Sequence, residues 1–135
     1  MKVFISHSHK DKPLARKLAG VLEDAGFAVW HDELVLPGDN WAKEIAKNLE
    51  ESDAMVLLLT PDGLKSKNVY DEMTYALGAR NFSHRLIPVV IGSPEDYSEQ
   101  KIPWILRRLN LIKVPGQGND EEVFRQITQA LQDAA

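Results

Sequence analysis

Two unbroken apolar runs constrain the fold of this chain more than any other feature of its sequence. They are "AMVLLL" at residues 54–59 and "LIPVVI" at residues 86–91, and neither contains a polar residue. A strand with one face in water alternates apolar and polar side chains, whereas a strand buried on both faces is apolar throughout, which is typical of parallel sheets. The two runs therefore predict strands inside a parallel sheet. Each run is far too short to cross a membrane.

Shorter apolar stretches at residues 3–5, 27–30 and 111–114 predict three further strands. Between the strands, apolar residues recur at spacings of three, four and seven, which is the period of an amphipathic helix. The predicted helices start at Asp11, which is expected to cap a face of Leu14, Leu18, Val21, Leu22 and Ala25; at Trp41, with Ile45 and Leu49; at the cap Ser66, with Val69, Met73, Ala76 and Leu77; at Ile102, as a short helix or helical turn; and at Asp120, with Val123, Ile127 and Leu131.

Strands and helices alternate along the whole chain, and this order predicts a single α/β domain over residues 1–135. Right-handed crossovers between five strands favour a flavodoxin-like three-layer sandwich, with a parallel sheet in the order 2-1-3-4-5 and helices on both faces. Ligands of such sheets bind beyond the carboxyl ends of the strands. Residues 7–11, 31–40, 60–66 and the chain from residue 92 onward are expected at that edge.

Composition excludes several classes of function. The 135 residues include no cysteine, so disulfides, cysteine-ligated zinc and thiol catalysis are excluded. The net charge of −4 gives no support for nucleic-acid binding through a basic surface. Charged and histidine residues follow the first apolar residues directly, so no signal peptide is predicted. We expect a cytoplasmic protein without a membrane segment.

One short motif suggests a metal site. His7-Ser8-His9-Lys10-Asp11 has the H-x-H-x-D spacing found in metal-dependent hydrolases. A dinuclear site of that kind needs a sixth-position histidine and further distant ligands, but the sixth position is Lys12 and the chain has four histidines in all. We therefore expect no metal, and interpret Asp11 as a helix cap followed by Pro13 in the first turn. A mononuclear site formed by His7, His9 and His31 is the weaker alternative.

Two other nucleotide or phosphate functions find no support in the sequence. The chain has no glycine-rich phosphate loop of the G-x-G-x-x-G or Walker kind. A receiver-like phospho-acceptor domain needs an acidic pair after the first strand to bind magnesium, and Ser6-His7 stands there instead.

Four segments taken together resemble a known family. "KVFISHSHKDK" resembles the first box of Toll/interleukin-receptor (TIR) domains, a strand ending F-I-S-Y/H followed by S-x-x-D, and "GFAVWHDELVLPGDNW" resembles the second box, which closes in P-G-D-x-W. "SDAMVLLLTPDGLKSKNVYDEMTYAL" resembles the third strand and its helix, which reads S-x-W-V-x-x-E in bacterial members, and "IPWIL" resembles the third box. The segments occur in family order and cover essentially the whole chain.

The resemblance implies two kinds of function. Some family members are enzymes that cleave NAD⁺ between nicotinamide and ribose when they assemble, in immune or antiphage defence, and others are non-catalytic adaptor modules. In the enzymes a glutamate of the third helix is essential, and it aligns with Glu72. The nucleotide-site residues implied by the resemblance are Ser6, His7, Trp30, Asp32, Glu33, Ser66 and Val69. NAD⁺ is then the substrate, no cofactor is expected, and the expected protein partner is another TIR domain.

The chain departs from the bacterial pattern at one position. Asn68 stands where many bacterial members carry a tryptophan two residues after the serine. That tryptophan usually borders the nucleotide site or packs behind the helix, so the asparagine is expected to alter the ligand, the product or the level of activity.

Overall fold

Five strands form one parallel sheet in the order β2-β1-β3-β4-β5, which confirms the predicted topology. The structure, a computed structural model, describes residues 1–30, 40–79, 82, 85–92, 102–109, 111–114 and 120–134, with the side chain of Trp41 outside the described part. The strands are β1 (Lys2–Ser6), β2 (Ala28–Trp30), β3 (Ala54–Leu59), β4 (Leu86–Ile91) and β5 (Ile112–Val114). All six side chains of β3 are buried, as its apolar run predicts for the centre of such a sheet.

Helices cover both faces of the sheet. They are α1 (Lys12–Asp24), α2 (Trp41–Glu51), the short α3 (Pro61–Leu64), α4 (Lys67–Gly78) and α5 (Asp120–Ala134), and two 3₁₀ turns lie at His9–Asp11 and Trp104–Arg108. The apolar side chains of α1 and α5 pack on one face in one core cluster. Those of α2 and α4 pack on the other face in a second cluster. None of these described helices is long and apolar enough to cross a membrane.

Side-chain caps fix where the helices begin. The Asn40 side chain accepts a hydrogen bond from the Lys43 backbone N–H at 3.1 Å, and Ser66 accepts one from the Val69 N–H at 3.3 Å. These caps satisfy backbone donors that have no partner within the helix. The Ser66 cap is the one predicted from the sequence, and it sets the start of α4.

Four local predictions are corrected by the structure. Val21 is 36% exposed and Leu77 is 41% exposed, so neither belongs to the buried face of its helix. Ala25 is exposed after the end of α1. Asp11 precedes α1 but makes no side-chain cap, because its carboxylate is engaged elsewhere. On α1 the buried positions are instead Ala15, Leu18, Ala19 and Leu22.

Candidate active site

Glu72 lies on α4 and faces the carboxyl end of β1. Its Oε1 accepts a hydrogen bond from Ser6 Oγ at 2.7 Å. Phe4 and Ser6 share one face of β1, since alternate residues of a strand point the same way, and that is the face on which α4 packs. Ser6 is 0% exposed, whereas Glu72 is only partly buried. The fully buried hydroxyl therefore orients a carboxylate that still reaches solvent.

A cavity of about 230 Å³ opens beside Glu72. It lies at the carboxyl end of the sheet, between α2 and α4, as ligand sites of doubly wound sheets do. Apolar and polar side chains share its lining, which consists of Ile5, His7, Trp30, Ile45, Leu49, Asn68, Asp71 and Glu72. Four of the eight wall residues are apolar and four are polar, so this wall is more polar than the predominantly apolar lining usual in small-molecule sites.

Trp30 forms part of the cavity wall and of the core at once. It ends β2, and its ring stacks on Phe4 with 4.8 Å between the ring centroids and 25° between the planes. The side chain is 7% exposed. Stacking on a fully buried ring holds the indole in one orientation, so the cavity has a rigid aromatic wall.

His7 lies where β1 ends and lines the same cavity. Its Nδ1 lies 2.7 Å from the backbone oxygen of Ser8, and because a carbonyl oxygen only accepts, Nδ1 carries the proton in this contact. His7 is 7% exposed, whereas His9 is exposed in the 3₁₀ turn. Within the described ranges, no three His, Asp or Glu side chains are grouped closely enough to hold a metal ion. His31 lies outside those ranges.

A hydrogen-bonded clip holds the loop after β1 against the end of β3. Asp11 Oδ2 accepts from Ser8 Oγ at 2.7 Å and from Thr60 Oγ1 at 2.6 Å. The Thr60 oxygen in turn accepts from the Gly63 backbone N–H at 3.0 Å, which caps α3. Hydrogen bonds to an ionised acceptor are stronger than neutral ones. The clip therefore fixes the loop that carries His7.

The structure brings some predicted site residues together and separates others. Glu72, His7 and Trp30 line one cavity, and Ser6 lies behind Glu72 without lining it. Ser66 caps α4 and Val69 is 2% exposed in the core, so neither belongs to the cavity wall. The remaining two predicted residues, Asp32 and Glu33, lie outside the described residues.

Sequence reasoning overlooked part of the wall. Ile45 and Leu49 were predicted as core residues of α2, and they line the cavity as well. Asp71 was not among the predicted site residues, yet it also lines the cavity. These residues come together because α2 and α4 pack on the same face of the sheet, which the sequence analysis did not assign. Asn68, the departure from the family pattern, is a wall residue too.

Comparison with known proteins decides the family. The family model described as "TIR domain" matches residues 3–133. The chain belongs to the TIR domain family. The resemblance carried by the four sequence segments is thereby confirmed over nearly the whole length of this TIR domain.

Two curated relatives are named as 2′ cyclic ADP-D-ribose synthases. Over 67 residues the TIR domain is 34% identical to the probable 2′ cyclic ADP-D-ribose synthase TcpO of Methanobrevibacter olleyae, covering 48% of this chain and 20% of that protein. Over 86 residues it is 31% identical to the 2′ cyclic ADP-D-ribose synthase BtTIR of Bacteroides thetaiotaomicron, covering 62% of this chain and 30% of that protein. The matched segments thus amount to less than a third of either relative.

A solved structure agrees with the fold. A metazoan TIR-STING receptor from C. gigas, determined in complex with 2′,3′-cGAMP, superposes with a TM-score of 0.76 at 26% identity. The match covers 96% of this chain and 38% of that one. The matched region is therefore only a part of that receptor chain.

Proposed function

We propose that this TIR domain cleaves NAD⁺ at the bond between nicotinamide and ribose, with Glu72 as the essential carboxylate. The observation that carries the proposal is the hydrogen bond from buried Ser6 to Glu72, 2.7 Å long, at the wall of a cavity with a rigid aromatic side. The two relatives named 2′ cyclic ADP-D-ribose synthases support the same reaction class.

The chemistry suits a site with one oriented carboxylate. The nicotinamide of NAD⁺ is a cationic pyridinium, and it leaves as a neutral molecule when it takes the electron pair of its bond to ribose C1′. No general acid is then needed, in contrast to ordinary glycosidases, which protonate an oxygen leaving group. Positive charge develops on the ribose, and a fixed carboxylate stabilises it. No cofactor or metal enters this scheme.

The cavity matches one end of the substrate. Its volume of about 230 Å³ lies below the range of roughly 300–1,000 Å³ typical of sites that enclose a drug-sized ligand. We assign it to the nicotinamide and its ribose, with Trp30 beside the flat ring and Glu72 at the sugar. The rest of the dinucleotide extends beyond this cavity.

The reaction ends when an oxygen nucleophile attacks C1′ and loses its proton. Water gives ADP-ribose, whereas a hydroxyl of the same molecule gives a cyclic product. The names of the two curated relatives favour the cyclic product. Chromatography of the second product, beside free nicotinamide, distinguishes the two outcomes.

The direct test is nicotinamide release from NAD⁺ by the purified protein. We expect release to rise faster than linearly with protein concentration, because we propose that self-association completes the active state. Exposed apolar side chains support association: Tyr70 is 60% exposed on α4, and Trp104 is 68% exposed on the turn after β4. Strictly linear scaling would contradict the coupling to assembly, although not the cleavage itself.

The alternative function is an adaptor module that only associates with other TIR domains. The exposed Tyr70 and Trp104 favour it as much as they favour enzyme assembly. An adaptor should scatter light as it assembles and release no nicotinamide at any concentration. We propose cytoplasmic defence signalling as the setting of either function, on the basis of family membership.

The Ser6 hydroxyl offers a second test of the site. Ser6→Ala should lower kcat for nicotinamide release about tenfold. A tenfold change corresponds to about 1.4 kcal/mol of activation free energy, which is close to the lower end of what one hydrogen bond to a charged group contributes. KM should change little, because Ser6 acts on Glu72 and does not line the cavity.

A matched control for Ser6→Ala is Ser52→Ala. Ser52 is 1% exposed, and its hydroxyl donates to the Asn48 backbone oxygen at 2.5 Å, away from the cavity. The control variant should lose stability without losing rate at a temperature where it stays folded. Equal rates in the Ser6 variant and the wild type would contradict the assigned role of the hydroxyl.

A further inference from the structure

The cavity has an unusual balance of charge. Two of its wall residues, Asp71 and Glu72, are carboxylates, and the described wall includes no lysine or arginine. The other polar wall residues are His7 and Asn68. A ligand in this space therefore meets negative charge from α4 without a compensating cation from the described part of the wall.

The two carboxylates differ in their surroundings. Glu72 is partly buried and accepts a hydrogen bond from Ser6, whereas Asp71 is exposed and its carboxylate has no hydrogen bond or ion pair with the described part of the chain. Consecutive residues of a helix point in different directions, so Asp71 approaches the cavity from a different angle than Glu72. The Asp71 carboxylate can therefore interact with a ligand in the cavity.

We propose that Asp71 is a specificity-determining residue that makes the cavity select a cationic pyridinium ring with an uncharged substituent. The inference rests on the proposed function, because it identifies the pyridinium ring as the part of the substrate that the cavity recognises. A ring that carries a carboxylate in place of the carboxamide is disfavoured, since a second anion would face Asp71 and Glu72. An uncharged ring is also disfavoured, since it lacks the attraction to them.

The expected size of the effect follows from exposure. Solvent screens an exposed charge, and ion pairs at a protein surface contribute modestly to binding. Trp30 adds the attraction of an aromatic face for a cation, provided that the ring lies against the indole. We expect each charge change on the ligand to weaken binding about fivefold, which corresponds to the upper end of surface pair energies.

Binding of three small probes tests the inference without any bond cleavage. 1-Methylnicotinamide is a cation with a carboxamide, 1-methylnicotinate replaces the carboxamide with a carboxylate, and nicotinamide is uncharged. None of them has a ribosyl bond. NMR titration at pH 8, where an ordinary imidazole is neutral, should shift the signals of the Trp30 indole N–H and the Asn68 amide, because both residues line the cavity. The indole of Trp104, which is 68% exposed, serves as an internal control.

We expect 1-methylnicotinamide to bind with a Kd on the order of millimolar, as a fragment of its size should, and about fivefold more tightly than either other probe. Asp71→Asn should reduce the preference over 1-methylnicotinate to about twofold. The same exchange at Asp24, an exposed residue at the end of α1 and outside the cavity wall, should leave the preference unchanged.

Two results would overturn the inference. One is equal affinity for the three probes, or no shift of Trp30 and Asn68 with any of them. The other is a preference that Asp71→Asn leaves unchanged. Failure of the proposed function is a separate result, since it would appear as absent nicotinamide release while the probe titrations still decide the role of Asp71.

Discussion

Glu72→Gln should reduce nicotinamide release from NAD⁺ by about a thousandfold, a loss of roughly 4 kcal/mol of transition-state stabilisation. The amide keeps the shape of the side chain and removes its negative charge. Because the charge is what stabilises the cationic ribose, the loss should fall on kcat more than on KM. Chromatography of free nicotinamide, at a protein concentration that supports assembly, measures it.

The glutamine variant is a sharper test than Glu72→Ala. Ser6 Oγ is 0% exposed and donates to Glu72 Oε1, so alanine would leave a buried hydroxyl without this acceptor. The unpaired hydroxyl would cost about 1–3 kcal/mol of stability, so a loss of activity in the alanine variant could reflect unfolding instead of loss of the carboxylate. The carbonyl oxygen of glutamine still accepts the hydrogen bond. A thermal unfolding curve close to that of the wild type should verify that the fold is kept.

Glu50→Gln is the matched control for the charge change. Glu50 is exposed on α2 and is not part of the cavity wall. It should release nicotinamide at the wild-type rate. If Glu72→Gln also released nicotinamide at the wild-type rate, the assignment of the essential carboxylate would be wrong. If Glu50→Gln and Glu72→Gln both assembled and neither released nicotinamide, that result would favour the adaptor function.

Gly63→Ala should destabilise the domain by about 3 kcal/mol or more, the upper range for overpacking a well-packed core. A Cβ at Gly63 would lie 2.3 Å from the backbone oxygen of Leu58, closer than any real contact. Leu58 is 0% exposed in the central strand β3, so neither partner can move without disturbing the sheet. Chemical unfolding followed by circular dichroism measures the change.

Gly20→Ala should have the opposite effect on stability, although it is also a glycine-to-alanine substitution. Gly20 is exposed within α1, and a Cβ there meets nothing within 4 Å. Alanine in the interior of an exposed helix should stabilise the domain by about 0.5–1 kcal/mol, because it restricts the unfolded chain and favours the helix. Unfolding of Gly63→Ala at the wild-type denaturant concentration would contradict the close approach of α3 to β3.

The fold was predictable because its signals are local. The apolar runs of β3 and β4 need two covered faces, and that requirement alone selects a parallel sheet with helices on both sides. The errors concern side chains whose burial depends on distant neighbours. Val21 and Leu77 are apolar and have helical spacing, yet both side chains are partly exposed to solvent. Asp11 stands where a helix cap is expected, but its carboxylate accepts a hydrogen bond from Thr60, which is remote in sequence.

The candidate site was predictable only in part, for a related reason. His7 follows β1 and Trp30 is the last residue of β2, so the rule that ligands bind at the carboxyl edge of the sheet places both near the cavity without knowledge of packing. Glu72 needed the family pattern, because a glutamate on a helix is commonplace. Placing Asp71 and Leu49 at the cavity requires the distance between α2 and α4, and the spacing of apolar residues in the sequence does not give that distance. Asp32 and Glu33 remain predictions.

The hydrogen bond between Ser6 and Glu72 also links the site to the folding of the chain, because its partners are 66 residues apart in sequence. Closing a loop of that length costs about 4 kcal/mol of chain entropy, more than one hydrogen bond offsets. The bond therefore forms only together with the pairing of β1 and β3 and the docking of α4. A chain in which these elements have not yet folded together therefore lacks the hydrogen bond that orients the carboxylate. With the proposed activity, unfolded copies would leave the cellular dinucleotide pool intact.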